Sequence, residues 1–189
     1  MIYKYSNCNA LQNINIPNSV NHIGRNPFYN CHQLRLTSDN PHFIVINGLL
    51  ISSDGTLISC LSEDTHINIP NSVNHIGDYA FYECRSLQGI GIPKSVTHIG
   101  DHAFYWCTSL QNINIPNSVT YIGDEAFAFC TSLQNINMPN SINHIGYQGF
   151  ICYDAFIVYS MQTIHIPKGS MAKFMQLLPE GLHNKLVEI

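Results

Sequence analysis

The stretch Leu87-Gln88-Gly89-Ile90-Gly91-Ile92-Pro93-Lys94-Ser95-Val96-Thr97-His98-Ile99-Gly100-Asp101-His102-Ala103-Phe104-Tyr105-Trp106-Cys107 decides the fold. The same spacing restarts at Leu110, through Ile113, Ile115, Pro116, Val119, Ile122, Gly123, Asp124, Ala126, Phe127 and Cys130. Copies of the proline segment begin at Pro17, Pro70, Pro93, Pro116 and Pro139, and regular neighbours are 23 residues apart. Self-similarity at such a period marks a solenoid, in which each unit buries its apolar face only against its neighbours. The chain therefore reads as one stack of about seven or eight coils, and not as an enzyme built around a central cleft. That points to surface recognition.

Within one coil, Ile90 and Ile92 alternate as a half-buried strand requires. Pro93 has no N–H to donate and ends the ladder. Val96 and Ile99 turn inward across a second short extended segment. Gly100 is expected at a sharp corner with positive φ, and Asp101 as N-cap of a single helical turn through Ala103 and Phe104. Stacking puts like over like at strand spacing. It predicts internal columns of Phe28, Phe81, Phe104, Phe127 and Phe150, with Tyr5 in the matching place.

Charged residues make up only 11% of the 189, against an ordinary 45% hydrophobic, and the formal net charge is -4. Without a Lys/Arg cluster, neither nucleic acid nor an anionic membrane surface is an expected partner. No apolar run reaches the ~20 residues of a membrane span. Met1 to Tyr5 is too short and too polar for a signal peptide, which leaves a cytoplasmic location open beside an exported one. Of seven cysteines, Cys8, Cys31, Cys84, Cys107 and Cys130 share one template position; Cys60 and Cys152 do not. A template position filled by Cys reads as buried, reduced thiols and not as a disulfide framework.

The pattern departs from the template in three places. Pro17 to Pro70 is 53 residues, seven more than two periods. The excess lies within residues 37–65, where Asn47-Gly48 and Asp54-Gly55 are turn signals. A hairpin of Gly48–Ile51 and Thr56–Ser59, inserted in one coil, is expected there. Residues 151–159 carry a second, apolar excess that should pack on the end of the stack. Residues 167–189 read as a C-terminal cap: Ser170 as N-cap, a helix stopped by Pro179, and a final strand near Leu186. The N-terminal edge shows no cap, an opening for self-association.

The pattern L-x-x-I-x-I-P-x-x-V-x-x-I-G-x-x-A-F-x-x-C, filled at every position from Leu87 to Cys107 and from Leu110 to Cys130, resembles the BspA-type leucine-rich repeat. The insert from Asn40-Pro41 to Thr56-Leu57 and the ending from Ile166-Pro167-Lys168-Gly169-Ser170 to Glu188 resemble parts common in that family. The resemblance covers nearly the whole chain. It implies a right-handed leucine-rich-repeat solenoid over residues 1–189, mainly β with short helical turns and a C-terminal helix cap. It also implies a surface-attached or secreted protein that binds proteins and adheres to host matrix. The family's motifs are structural and bring no binding residues with them.

Three side-chain columns are candidates for chemistry. His22, His75, His98 and His144 share a position, interrupted by Tyr121; imidazoles about 5 Å apart could ligate a metal, but an outward-facing ladder is the plainer reading. Asp78, Asp101 and Asp124 form an acidic column, read as helix caps and not as a calcium site. No nucleophile–base constellation or phosphate loop occurs, so no enzyme, metal or cofactor is expected. The outward side of the main sheet should carry Asn13, Asn15, Asn68, Asn112, Asn114, Asn135, Asn137 and His165. Stacked amides there can bond one another, or can form an uncharged concave face that docks a protein, including a glycoprotein. The expected function is non-catalytic recognition or adhesion, with a structural, self-assembling or intracellular scaffold as the alternative.

Overall fold

Two short strands per repeat wind the chain into a stack. The computed structural model describes residues 11–29, 31, 34–147, 149 and 161–189. Tyr5, Cys8, Phe150, Cys152, the apolar segment 151–159 and the N-terminal edge lie outside them.

The strands that follow the leucine position are β1 (Asn13–Ile16), β2 (Arg35–Ser38), β6 (His66–Asn68), β8 (Gly89–Gly91), β10 (Asn112–Asn114), β12 (Asn135–Asn137) and β14 (Thr163–Ile166). They pair in parallel as β1–β2, β6–β8 and β10–β12–β14. The register sets Ile113 beside Ile136 and Ile136 beside Ile164. The second strand of each regular coil is β7 (His75–Ile76), β9 (His98–Ile99), β11 (Tyr121–Ile122) or β13 (His144–Ile145). These four are also parallel, with Ile76, Ile99, Ile122 and Ile145 in register.

Between the two sheets run the apolar columns. Val73, Val96 and Val119 are fully buried, as are Ile76, Ile99 and Ile122. Phe81, Phe104 and Phe127 stack face to face with ring centroids 4.9 and 5.1 Å apart. Burying one such side chain is worth roughly 1.5–3 kcal/mol, and each is covered mainly by its copies in adjacent coils.

The corner differs from expectation. Gly100 and Gly123 do not have positive φ. Glycine is required because the preceding coil passes too close: a Cβ on Gly100 would sit 2.7 Å from the Asp78 nitrogen and 2.8 Å from the Gly77 carbonyl carbon. The left-handed positions fall later, on side chains. Tyr79, His102 and Glu125 have φ of 61, 55 and 50°, and Glu83, Trp106 and Phe129 of 56, 62 and 61°. That conformation is costly for bulky residues. It turns their N–H groups along the stack, where His102 donates to the Asp124 carbonyl (2.8 Å) and Trp106 to the Ala128 carbonyl (3.0 Å).

The expected helical turn is absent as well; residues 101–106 form a run of turns. Asp101 does not cap its own coil. Its carboxylate accepts the Asp124 N–H of the next coil (2.9 Å), as Asp78 accepts that of Asp101 (2.9 Å) and Asp124 that of Tyr147 (2.7 Å). The acidic column is a row of inter-coil links.

The insert contributes three strands, not two: β3 (Phe43–Ile46), β4 (Leu49–Ser52) and β5 (Thr56–Cys60). Asn47 and Gly48, with φ of 49 and 75°, make the two-residue turn between β3 and β4. Both hairpins are antiparallel, and β5 then pairs in parallel with β7, so the sheet runs β3-β4-β5-β7-β9-β11-β13. Leu49 and Ile51 pack into the larger core, and Leu50 into a smaller one with Ile16, Val20, Phe28 and Leu36. The strand thus has both faces buried and forms a wall inside the stack.

At the C-terminal end, helix α1 (Met171–Leu177) and a 3₁₀ segment (Glu180–Lys185) lay Phe174, Leu178 and Leu182 over the last coil. Strand β15 (Leu186–Glu188) pairs with β14. Ser170 does not cap the helix; its hydroxyl donates to the Pro167 carbonyl. The Met171 N–H instead finds the Glu188 carboxylate at 3.0 Å, which ties the helix start to the final strand.

Candidate functional site

The outward positions of the first sheet fall into separate groups. Asn112, Asn114, Asn135, Asn137 and His165 lie together on β10, β12 and β14. Asn135 donates its amide to Asn112 (2.9 Å) and accepts from the Thr163 hydroxyl (2.6 Å); the His165 ring bonds Asn137 (2.8 Å). Asn112, Asn114 and Asn137 are exposed, Asn135 and His165 half-buried. Beneath them Ile113, Ile136 and Ile164 are buried, so the amides stand on a stiff base.

Asn13 and Asn15 belong to the separate β1–β2 ladder. Asn13 faces Arg35 in register, and Asn15 bonds Asp39 (2.8 Å) and Thr37 (3.1 Å). Asn68 sits on β6 opposite Gly91. A Cβ on Gly91 would collide with the Asn68 amide oxygen, and one on Gly89 would come within 2.9 Å of the His66 ring. The two glycines make room for the larger side chains of the coil before them.

The histidine column is a ring stack on the second sheet. His75 and His98 lie 4.3 Å apart at 13°, His98 and Tyr121 5.6 Å at 28°, and Tyr121 and His144 4.4 Å at 7°. Tyr121 continues the column that the sequence reading has it break, because any flat ring can fill the place. Stacked imidazoles direct their lone pairs in parallel planes, a poor geometry for one shared ion. Among the described residues no three His, Cys, Asp or Glu side chains gather as a metal would need. Burial, together with the neighbouring His98 charge, holds the His75 pKa below its ordinary 6.5; Asp54 and Asp78 pull the other way.

Cys31, Cys60, Cys84, Cys107 and Cys130 are free thiols. Cys107 donates to the Phe81 carbonyl and Cys130 to that of Phe104, each at 3.1 Å. Cys60, outside the template position, donates to the Ser62 carbonyl (3.7 Å), and its thiol beside Cys84, followed by burial, pushes the Cys84 thiol up. Burial followed by the bond to Cys130 does the same for Cys107. Raised thiols are poor nucleophiles, in keeping with a packing role.

Sequence reasoning missed a third surface, the outer rim of the turns. Tyr79 stacks on His102 (4.6 Å, 8°), Tyr82 on Tyr105 (5.3 Å, 2°), and Arg85 lies 5.0 Å over the Trp106 ring. The rim positions hold Tyr, His and Glu in turn, so no repeated letter announces them.

A stack of near-identical coils with a parallel strand after each leucine position defines a leucine-rich-repeat solenoid. The chain belongs to the BspA-type leucine-rich repeat family, whose model matches six copies over residues 2–47 and 58–175. That family consists of non-enzymatic repeat proteins. Among solved structures, a leucine-rich repeat protein from Eubacterium ventriosum is similar at 25% identity and TM-score 0.72, over 84% of this chain and 43% of that one. A leucine rich cell surface protein from Faecalibacterium prausnitzii is similar at 28% identity and TM-score 0.67, over 89% and 51%. A Bacteroides ovatus leucine-rich repeat protein is similar at 27% and 0.59, over 94% and 42%. The chain thus spans about half or less of each. No curated protein sequence matches it. Among the described residues no helix is long and apolar enough to cross a membrane.

Proposed function

We propose that the chain is a non-catalytic module that binds a protein partner through the amide patch Asn112, Asn114, Asn135, Asn137 and His165, at a bacterial surface. Host matrix protein or mucin-type glycoprotein is the partner class. One observation carries the reading: the patch is a regular, uncharged array whose side chains already hold one another in place. Prealigned donors and acceptors lose little freedom on binding, and an extended partner strand or loop can meet them at strand spacing. Membership of a repeat family of protein-binding modules supports the class of function. The similarity to a cell surface protein supports the location.

The test is binding of the purified chain to immobilised matrix proteins and mucins, beside an Asn112→Arg, Asn135→Arg double variant. Saturable binding weakened at least about tenfold, or ~1.4 kcal/mol, in the double variant is expected. Equal binding by both chains would remove the patch from the interface.

A further inference from the structure

The rim is not continuous, and its break has a definite shape. Tyr79 and Tyr82 each have a ring neighbour one coil later: His102 covers one face of Tyr79, and Tyr105 one face of Tyr82. On the N-terminal side the pattern fails. Asn26 holds the template place of Tyr79, and its side chain turns inward. There its amide N–H donates to the Tyr79 carbonyl (2.7 Å) and its oxygen accepts from the Ser59 hydroxyl. Tyr29 holds the place of Tyr82 but meets it edge-on (4.8 Å, 82°). The insert explains why. Residues 61–65 join β5 to β6, where 77–88 join β7 to β8, so the insert coil supplies a strand but no outer turn.

The missing turn leaves two cavities that share Tyr29 and Tyr82. One, of about 340 Å³, is lined by Arg25, Asn26, Tyr29, Tyr79 and Tyr82. The other, of about 270 Å³, includes Ser62, Glu63, Glu83 and Arg85. Tyr79, stacked on His102 and packed at a tilt against Tyr82 (5.6 Å, 52°), also lines the first. At the first, Arg25 pairs with Asp78 (3.0 Å); at the second, Arg85 pairs with Glu83 (2.8 Å) and also lies over the Trp106 ring.

We infer that the first notch is a saccharide-binding site that takes a sugar ring against the part of the Tyr79 ring that lines it. The C–H face of a pyranose suits an aromatic plane, and vicinal hydroxyls suit the guanidinium donors of Arg25, the carboxylate of its partner Asp78 and the phenol hydroxyls of Tyr29 and Tyr82. The Arg25 guanidinium is matched by the Asp78 carboxylate, so the notch has no surplus positive charge to select an anion. A volume of about 340 Å³ lies at the small end of ligand sites, enough for a ring or two of sugar and too little for a folded partner. A side chain from a protein ligand would have to bring a far larger contact area to bind stably. The notch is distinct from the amide patch and does not depend on it.

Saturation-transfer NMR with methyl β-galactoside, methyl α-mannoside and N-acetylglucosamine, each at roughly 10 mM, tests the assignment. Saturable transfer from at least one sugar is expected, strongest at the protons of one ring face. Tyr79→Ala should abolish it. Arg25→Ala, at a side chain 68% exposed and so safe for folding, should weaken it about tenfold. The Asn112→Arg, Asn135→Arg variant should bind sugar as the parent does, so this site and the amide patch stand or fall separately. No transfer from any of the three sugars would overturn the proposal, as would undiminished transfer in a folded Arg25→Ala chain.

Discussion

Gly123 is glycine because another coil occupies the space where its side chain would be. A Cβ there would approach the Asp101 nitrogen to 2.6 Å and the Gly100 carbonyl carbon to 2.7 Å. Both are backbone atoms, which cannot swing aside. Gly123→Ala should therefore cost about 1–3 kcal/mol, read from the urea midpoint; an unchanged midpoint would refute the close approach. The sequence shows the glycine column but not its cause, since a corner glycine and a contact glycine look alike in one chain. The same holds for Asp101: an aspartate before a short turn reads as a cap, and only the neighbouring coil reveals that its carboxylate reaches across.

At the scale of the element, the ring stack on the second sheet carries a pH response. In the unfolded chain His75 titrates near 6.5; in the fold burial first, then the charge of His98, lowers that value, with Asp54 and Asp78 opposing. The unfolded state therefore binds the proton more readily. The contribution of a neutral His75 is complete above pH 6.5 and is lost as pH falls from there through the lower folded value. Melting temperature should drop between pH about 7.5 and about 5.5, and His75→Gln should flatten that drop. The histidine column was legible in the sequence through its shared position. Its continuity through Tyr121 was not, because a template of letters treats Tyr as an interruption whereas stacking asks only for a flat ring.

Across the whole molecule, the 23-residue period was enough to foresee a stack, its inward columns and its closing strand. What it could not show was the consequence of the insert. Seven extra residues read as a hairpin added to a coil, yet β4 lies between two hydrophobic cores: Ile16, Val20, Ile23, Phe28 and Leu36 on one side, the long columns through Phe81, Phe104 and Phe127 on the other. Among the described residues the smaller core draws on fewer coils, and stability in such arrays is a sum over neighbours. Amide hydrogen exchange should accordingly find the bonded N–H groups of Arg35–Ser38 less protected than those of Tyr121–Ile122. Equal protection would mean that the wall transmits cooperativity and the stack opens as one.

The Asp links give the stack a direction. Asp78 accepts from Asp101, Asp101 from Asp124, and Asp124 from Tyr147, always from the later coil. Every regular coil so presents an acceptor on one side and a donor on the other, like bricks with a stud and a socket. A gene that gains or loses one such unit in frame would still yield a chain whose joints all fit. Length is thus free to drift by whole units among descendants, while the insert, which interrupts the joints once, remains a fixed landmark from which the units can be counted.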